Sequence, residues 1–149
     1  MSDTNIREEW ILKKRYLNRY RKNLSLVERL TDKRDNLERR ITSLKSPVIS
    51  DMPRGGTAIR AEDLIAEKAE IEDRIERLTD KGLEYKREIL SAIDELDDSR
   101  YAEVLESYYV RNKDIGDIAE DTGYTVRHVY RLYRDAITSI NIDSKVTVK

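Results

Sequence analysis

The chain has no cysteine and no phenylalanine, and only one histidine, one tryptophan, two prolines and five glycines in 149 residues. Without cysteine there is no disulfide framework and no thiolate chemistry, which fits a reducing compartment. With His128 as the sole imidazole, a structural zinc site is excluded. A phosphate-cradling loop is missing too: "PRGGT" at 53–57 lacks the lysine and the spacing of a P-loop. The acidic run "DELDD" at 94–98 suits a solvated, capped helix end better than a divalent ion. The first residues, "MSDTNIREEWILKKRY", hold no apolar run of signal-peptide length, and nothing later approaches a membrane span. These absences predict a protein that is not an enzyme, carries no cofactor, avoids membranes and works in the cytoplasm.

What the chain has in plenty is charge. Charged residues make up 40% and aromatics 7%, a composition suited to long helices with narrow apolar seams. Residues 7–45 read as one helix. Tyr16, Tyr20, Val27, Leu30, Leu37, Ile41 and Leu44 recur at helical spacing, with Asn23 and Arg34 as polar members of the seam. Residues 61–96 read as a second helix with heptads: Leu64, Ile71, Leu78, Tyr85 and Ala92 by sevens, then Lys68, Ile75, Gly82, Ile89 and Leu96. Gly82 costs about 1 kcal/mol against alanine inside a helix, so a kink near it is one expectation. Between the two helices, "SPVISDMPRGG" holds both prolines and two of the glycines, which end the first helix. Residues 7–45 carry 13 basic and 6 acidic side chains, residues 61–98 carry 6 basic and 14 acidic. Opposite charge and a short connection predict an antiparallel, coiled-coil-like hairpin over 7–96 with its loop at 46–60. Trp10, Tyr16 and Tyr20 are left over as a seam through which two hairpins could pair as a homodimer.

The segment 97–140 is different in kind. Asp97, Asp98 or Ser99 caps "YAEVLESYYV"; Asp114 caps "IGDIAED"; Thr125 caps "VRHVYRLYRDAITSI". Ala119 is small where two helices would cross, and Gly123 supplies the positive φ of a tight turn. Val129 plugs the core from the last helix, with Ile115, Ile118, Val126 and Leu132 around it. This is the spacing of a helix-turn-helix. From Thr125 to Arg134 the last helix has Arg127, His128, Arg131 and Arg134 and no acid, as a helix entering a DNA major groove requires. Thr125, Arg127, His128, Tyr130, Arg131 and Arg134 are the candidate DNA-reading residues, and Arg111 and Lys113 are placed to touch phosphates. Residues 141–149 read as a flexible tail. The fold class is thus all-α: a long helical hairpin followed by a helix-turn-helix domain.

The stretch "RYAEVLESYYVRNKDIGDIAEDTGYTVRHVYRLYRDAI" resembles region 4 of bacterial sigma factors. Together with "SPVISDMPRGG" and the preceding helix, it resembles small phage and prophage late-gene regulators related to ArpU and RinA, over most of residues 10–140. The resemblance implies double-stranded DNA as partner, transcriptional control of phage genes and a sigma-region-4-like fold. In that family the start of the second helix reads bases, which falls here on Thr125, Arg127, His128, Tyr130 and Arg131; Tyr130 stands where a basic residue is frequent. Two other readings remain open: a small-terminase-like DNA packaging protein, and a sigma-4-like protein–protein adaptor. The loop is either a stiff connector or a surface presenting Asp51, Met52 and Arg54 to a partner such as host RNA polymerase.

Overall fold

The computed structural model describes residues 3–45 and 60–142. All regular structure among them is helical: α1 Asp3–Lys45, α2 Ala61–Asp94, α3 Ser99–Tyr109, α4 Ile115–Thr122 and α5 Val126–Ser139. Among the described residues no helix is long and apolar enough to cross a membrane. Helix α1 runs unbroken for 43 residues, as a segment without proline or glycine can. Helix α2 runs through Gly82 without interruption. The local cost of that glycine is therefore outweighed by packing, and Gly82 itself is buried.

The chain divides into two compact units. One is Asn23–Lys81; the other combines the residues up to Lys22 with those from Gly82 onward. The boundary read at 96/97 separates helices, but not these units.

In the unit Asn23–Lys81, Leu37, Ile41 and Leu64 form a small buried cluster flanked by Ile71. Asn23 Nδ2 donates to the Leu78 carbonyl at 2.8 Å, and the Lys68 ammonium meets Glu38 as well as Glu72 at 3.4 Å. The partners descend along α2 as they ascend along α1, so the two segments run in opposite directions. Two polar seam residues thus have partners: Asn23 is buried but hydrogen-bonded, and Lys68 sits between two carboxylates. The hydrogen bond it donates to Glu38 holds the Lys68 ammonium above the usual lysine range. Leu44, read as a seam residue, is 52% exposed; it falls one turn beyond Ile41, the last buried position of α1.

The other unit holds the larger core. Tyr16 and Leu17 of α1, Ile89 and Ile93 of α2, and the inner faces of α3, α4 and α5 bury one continuous apolar cluster. Tyr16 is 4% exposed, and Trp10 and Tyr20 pack against the same cluster. The dimer seam expected at these three aromatics is therefore spent within the chain. Ile140 is buried, and Ile142, read as part of the tail, packs on the cluster.

Candidate nucleic-acid interface

The geometry of α4 and α5 is set by caps. Asp98 opens α3, its carboxylate accepting from Arg100 N at 2.9 Å. Asp114 opens α4 with a reciprocal box: its Oδ1 accepts from Asp117 N at 2.8 Å, and Asp114 N donates to Asp117 Oδ2 at 3.4 Å. Gly123 closes α4 at φ 77°, ψ 5°, its N–H donating to the Ala119 carbonyl at 2.9 Å. That left-handed conformation is the one L side chains resist. Two residues on, the Thr125 hydroxyl accepts from His128 N at 3.1 Å and starts α5.

Packing then orients α5. Val129, Ala136 and Ile137 have no exposed surface, and Leu132 and Tyr133 have little. The Tyr109 and Tyr133 hydroxyls share a 2.5 Å hydrogen bond inside the core, with their rings stacked at 6.1 Å. Burial pushes both hydroxyls above the usual tyrosine range. At the far end of α5, Lys13 Nζ donates to the Thr138 carbonyl at 3.0 Å, a cation where the helix dipole favours one. Arg21 Nε donates to Asn112 Oδ1 at 2.7 Å while its guanidinium lies 4.2 Å from the Tyr108 ring. Asn112 holds the only positive φ among the described non-glycine residues, 59°. Helix α1 thus braces both the α3–α4 turn and the end of α5.

What remains outward on α5 is one face. Arg127, Arg131 and Arg134 are exposed at spacings of four and three, so they share a stripe about 10 Å long. Val126 and Tyr130 are 55% and 53% exposed beside them, which corrects the placement of Val126 in the core. A shallow groove of about 740 Å³ runs along this face, and the described residues lining it all belong to α5. It is an open surface, unsuited to enclosing a small ligand. His128 is half-buried, its ring edge-on to Tyr124 at 4.8 Å.

The six Lys and Arg residues of 97–142 fall into two groups. Arg100 pairs with Asp98 at 2.9 Å, Arg111 with Glu103 at 3.1 Å and Glu106 at 3.6 Å, and Lys113 with Asp121. By contrast, the side chains of Arg127, Arg131 and Arg134 have no acidic or hydrogen-bonding partner among the described residues. The structure therefore brings Arg127, Tyr130, Arg131 and Arg134 together on one face, leaves Thr125 in the cap and His128 against Tyr124, and places Arg111 and Lys113 among carboxylates. Asp51, Met52 and Arg54 lie outside the described residues.

A family described as Protein of unknown function (DUF1492) matches residues 40–141, more than half of the chain. The chain belongs to that family. The DUF1492 match takes in α2 to α5 whole, and with them the turn at Gly123 and the exposed arginines. No curated protein and no solved structure matches the chain. Within this DUF1492 chain, sequence reasoning missed Lys13, Arg21 and the Tyr109–Tyr133 pair as the supports of α5. Their partners lie 125, 91 and 24 residues away, beyond the reach of any local periodicity.

Proposed function

We propose that α4, the Gly123 turn and α5 act as a helix-turn-helix that reads double-stranded DNA, carried by a helical hairpin made from α1 and α2. On this reading the chain is a sequence-specific transcriptional regulator, a phage or prophage late-gene activator that works with host RNA polymerase. One observation carries it: the only unneutralised cations of 97–142, among the described residues, form a single stripe on the helix after the tight turn. An α-helix about 10–12 Å across fits a major groove about 12 Å wide. Arg127, in the first turn, is placed for base edges, and Arg134, two turns on, for phosphate. Val126 and Tyr130 supply the apolar surface that a thymine methyl accepts.

The exposure of Val126 and Tyr130 also favours a second reading, in which the same face docks on a protein. A salt titration on the target duplex, found by genome-wide footprinting, separates the two. Each phosphate that α5 neutralises contributes about −0.9 to the slope of log K on log salt, so replacing a phosphate-contacting arginine by alanine reduces it by about 0.9. Arg131→Ala should cost roughly 1–3 kcal/mol and relax specificity at one base pair if it reaches a guanine edge. Duplex binding that is indifferent to Arg127→Ala with Arg131→Ala sinks the DNA reading and leaves the protein-docking one.

A further inference from the structure

We infer that the unit Asn23–Lys81 carries a self-complementary groove that binds the same groove of a second copy of the chain. Helix α1 has two rows of leucine-bearing positions in this unit. The first, at 23, 27, 30, 34, 37 and 41, faces α2 and contains the buried residues Asn23, Leu30, Leu37 and Ile41. The second lies one step round the helix, at 26, 30, 33, 37, 40 and 44, with the same alternation of four and three. Its ends are Leu26, 41% exposed, and Leu44, 52% exposed. Between the helices along this second row runs an open groove of about 440 Å³, with Leu30, Leu37 and Ile71 in its floor.

The walls of the groove differ in charge. Lys33 and Arg40 line it from α1, and Glu67, Glu70 and Arg74 from α2, so the α1 wall is basic and the α2 wall net acidic. None of Lys33, Arg40, Glu67 and Glu70 has an ion-pair or hydrogen-bond partner among the described residues. A surface of this kind chooses its own symmetry. A two-fold axis parallel to the helices places α1 of one copy over α2 of the other, basic wall on acidic wall, twice. Each helix then lies antiparallel to both neighbours, as in an ordinary four-helix bundle. The perpendicular axis would place α1 on α1 and meet like charge with like, which costs affinity. Leu26 and Leu44 are covered only when a second helix lies along the row. The inference stands apart from the DNA-reading proposal, since it uses no residue of α5.

Sedimentation of the full chain over about two decades of concentration tests it. The expected species is a reversible dimer. Lys33→Glu with Arg40→Glu should weaken dimerisation about tenfold or more, and so should Glu67→Lys with Glu70→Lys. Because these side chains have no partner among the described residues, helix content and melting temperature should hold in both variants. An equal mixture of the two variants should restore the dimer, and so should one chain bearing all four changes. Dimerisation lost in the four-fold variant would mean that the two walls do not pair with each other across the axis, and would overturn the arrangement. A wild-type chain that stays monomeric, or that assembles into rings, overturns the inference outright. So does a dimer indifferent to both reversals.

Discussion

The Tyr109–Tyr133 pair is the point at which the orientation of α5 can be weighed. Both side chains are almost fully buried, 1% and 5% exposed, and their hydroxyls bond each other at 2.5 Å. Replacing one by phenylalanine leaves the other hydroxyl inside the core without that partner. The cost is the desolvation of an unsatisfied polar group, about 1–3 kcal/mol for Tyr109→Phe and similarly for Tyr133→Phe. The double change removes both hydroxyls at once and keeps the rings, so it should cost less than about 1 kcal/mol. Urea unfolding of the four proteins closes the cycle, with equal slopes showing that the same surface is exposed in each. Costs that add within about 0.5 kcal/mol would refute the pairing. The same pair predicts a pH dependence. Burial, reinforced by the bond to Tyr133, holds the Tyr109 hydroxyl well above its ordinary value of 10.0. Burial raises Tyr133 as well, offset in part by the bond it shares with Tyr109. The unfolded chain therefore releases these protons first, and it binds fewer protons than the native state above pH 10. Stability from the pair is complete below pH 10 and falls as pH rises past it, by up to about 1.4 kcal/mol per unit for each tyrosine. The double phenylalanine variant should lose that part of the alkaline slope.

Three further outcomes follow from the caps and the turn. Gly123→Ala meets no atom within 4 Å but must hold φ 77°, so it should lose roughly 1–2 kcal/mol through backbone strain alone, and Gly123→Asn, which tolerates that conformation, should lose less in the same thermal melts. Thr125→Ala removes the acceptor of His128 N and should cost about 1 kcal/mol, while Thr125→Ser should be near neutral by denaturant titration. Arg111→Ala and Lys113→Ala remove cations already paired with Glu103, Glu106 and Asp121, so the salt slope of DNA binding should move by much less than the roughly 0.9 expected for a phosphate-contacting α5 arginine.

The elements were legible in the sequence because their causes are local. Asp114, Gly123 and Thr125 announce the ends of α4 and α5 by residue type, and each occupies the cap position its chemistry implies. The heptads of α2 announced its seam, and Gly82 did not break it. Tertiary choices were harder to read. Val126 has the right type and spacing for a core residue, yet it lies in the first turn of α5 on the open side. Tyr16 was assigned to a free seam because spacing shows which residues share a face, but not which element covers that face. Here α1 gives its first turns to the core of α3, α4 and α5, so its aromatics are used up there.

For the candidate site the decisive property is neutralisation, and that property is non-local. Counted along the chain, Arg111 and Lys113 are cations flanking a turn and look as available as Arg127 and Arg131. In three dimensions Lys113 reaches Asp121 eight residues later, and Arg111 reaches Glu103 eight residues earlier. A cation with a carboxylate already beside it gains little from a phosphate, because the carboxylate it would leave behind repels the same phosphate. The α5 arginines have no carboxylate at ion-pair distance among the described residues, with Asp135 the one acid lining their groove. The acidic composition of α4 and the end of α3 thus has a positive role: it silences the cations around the turn and leaves one helix face to carry the charge. A basic segment found by counting locates a region. Which of its cations are free to bind is settled by the acids folded against them.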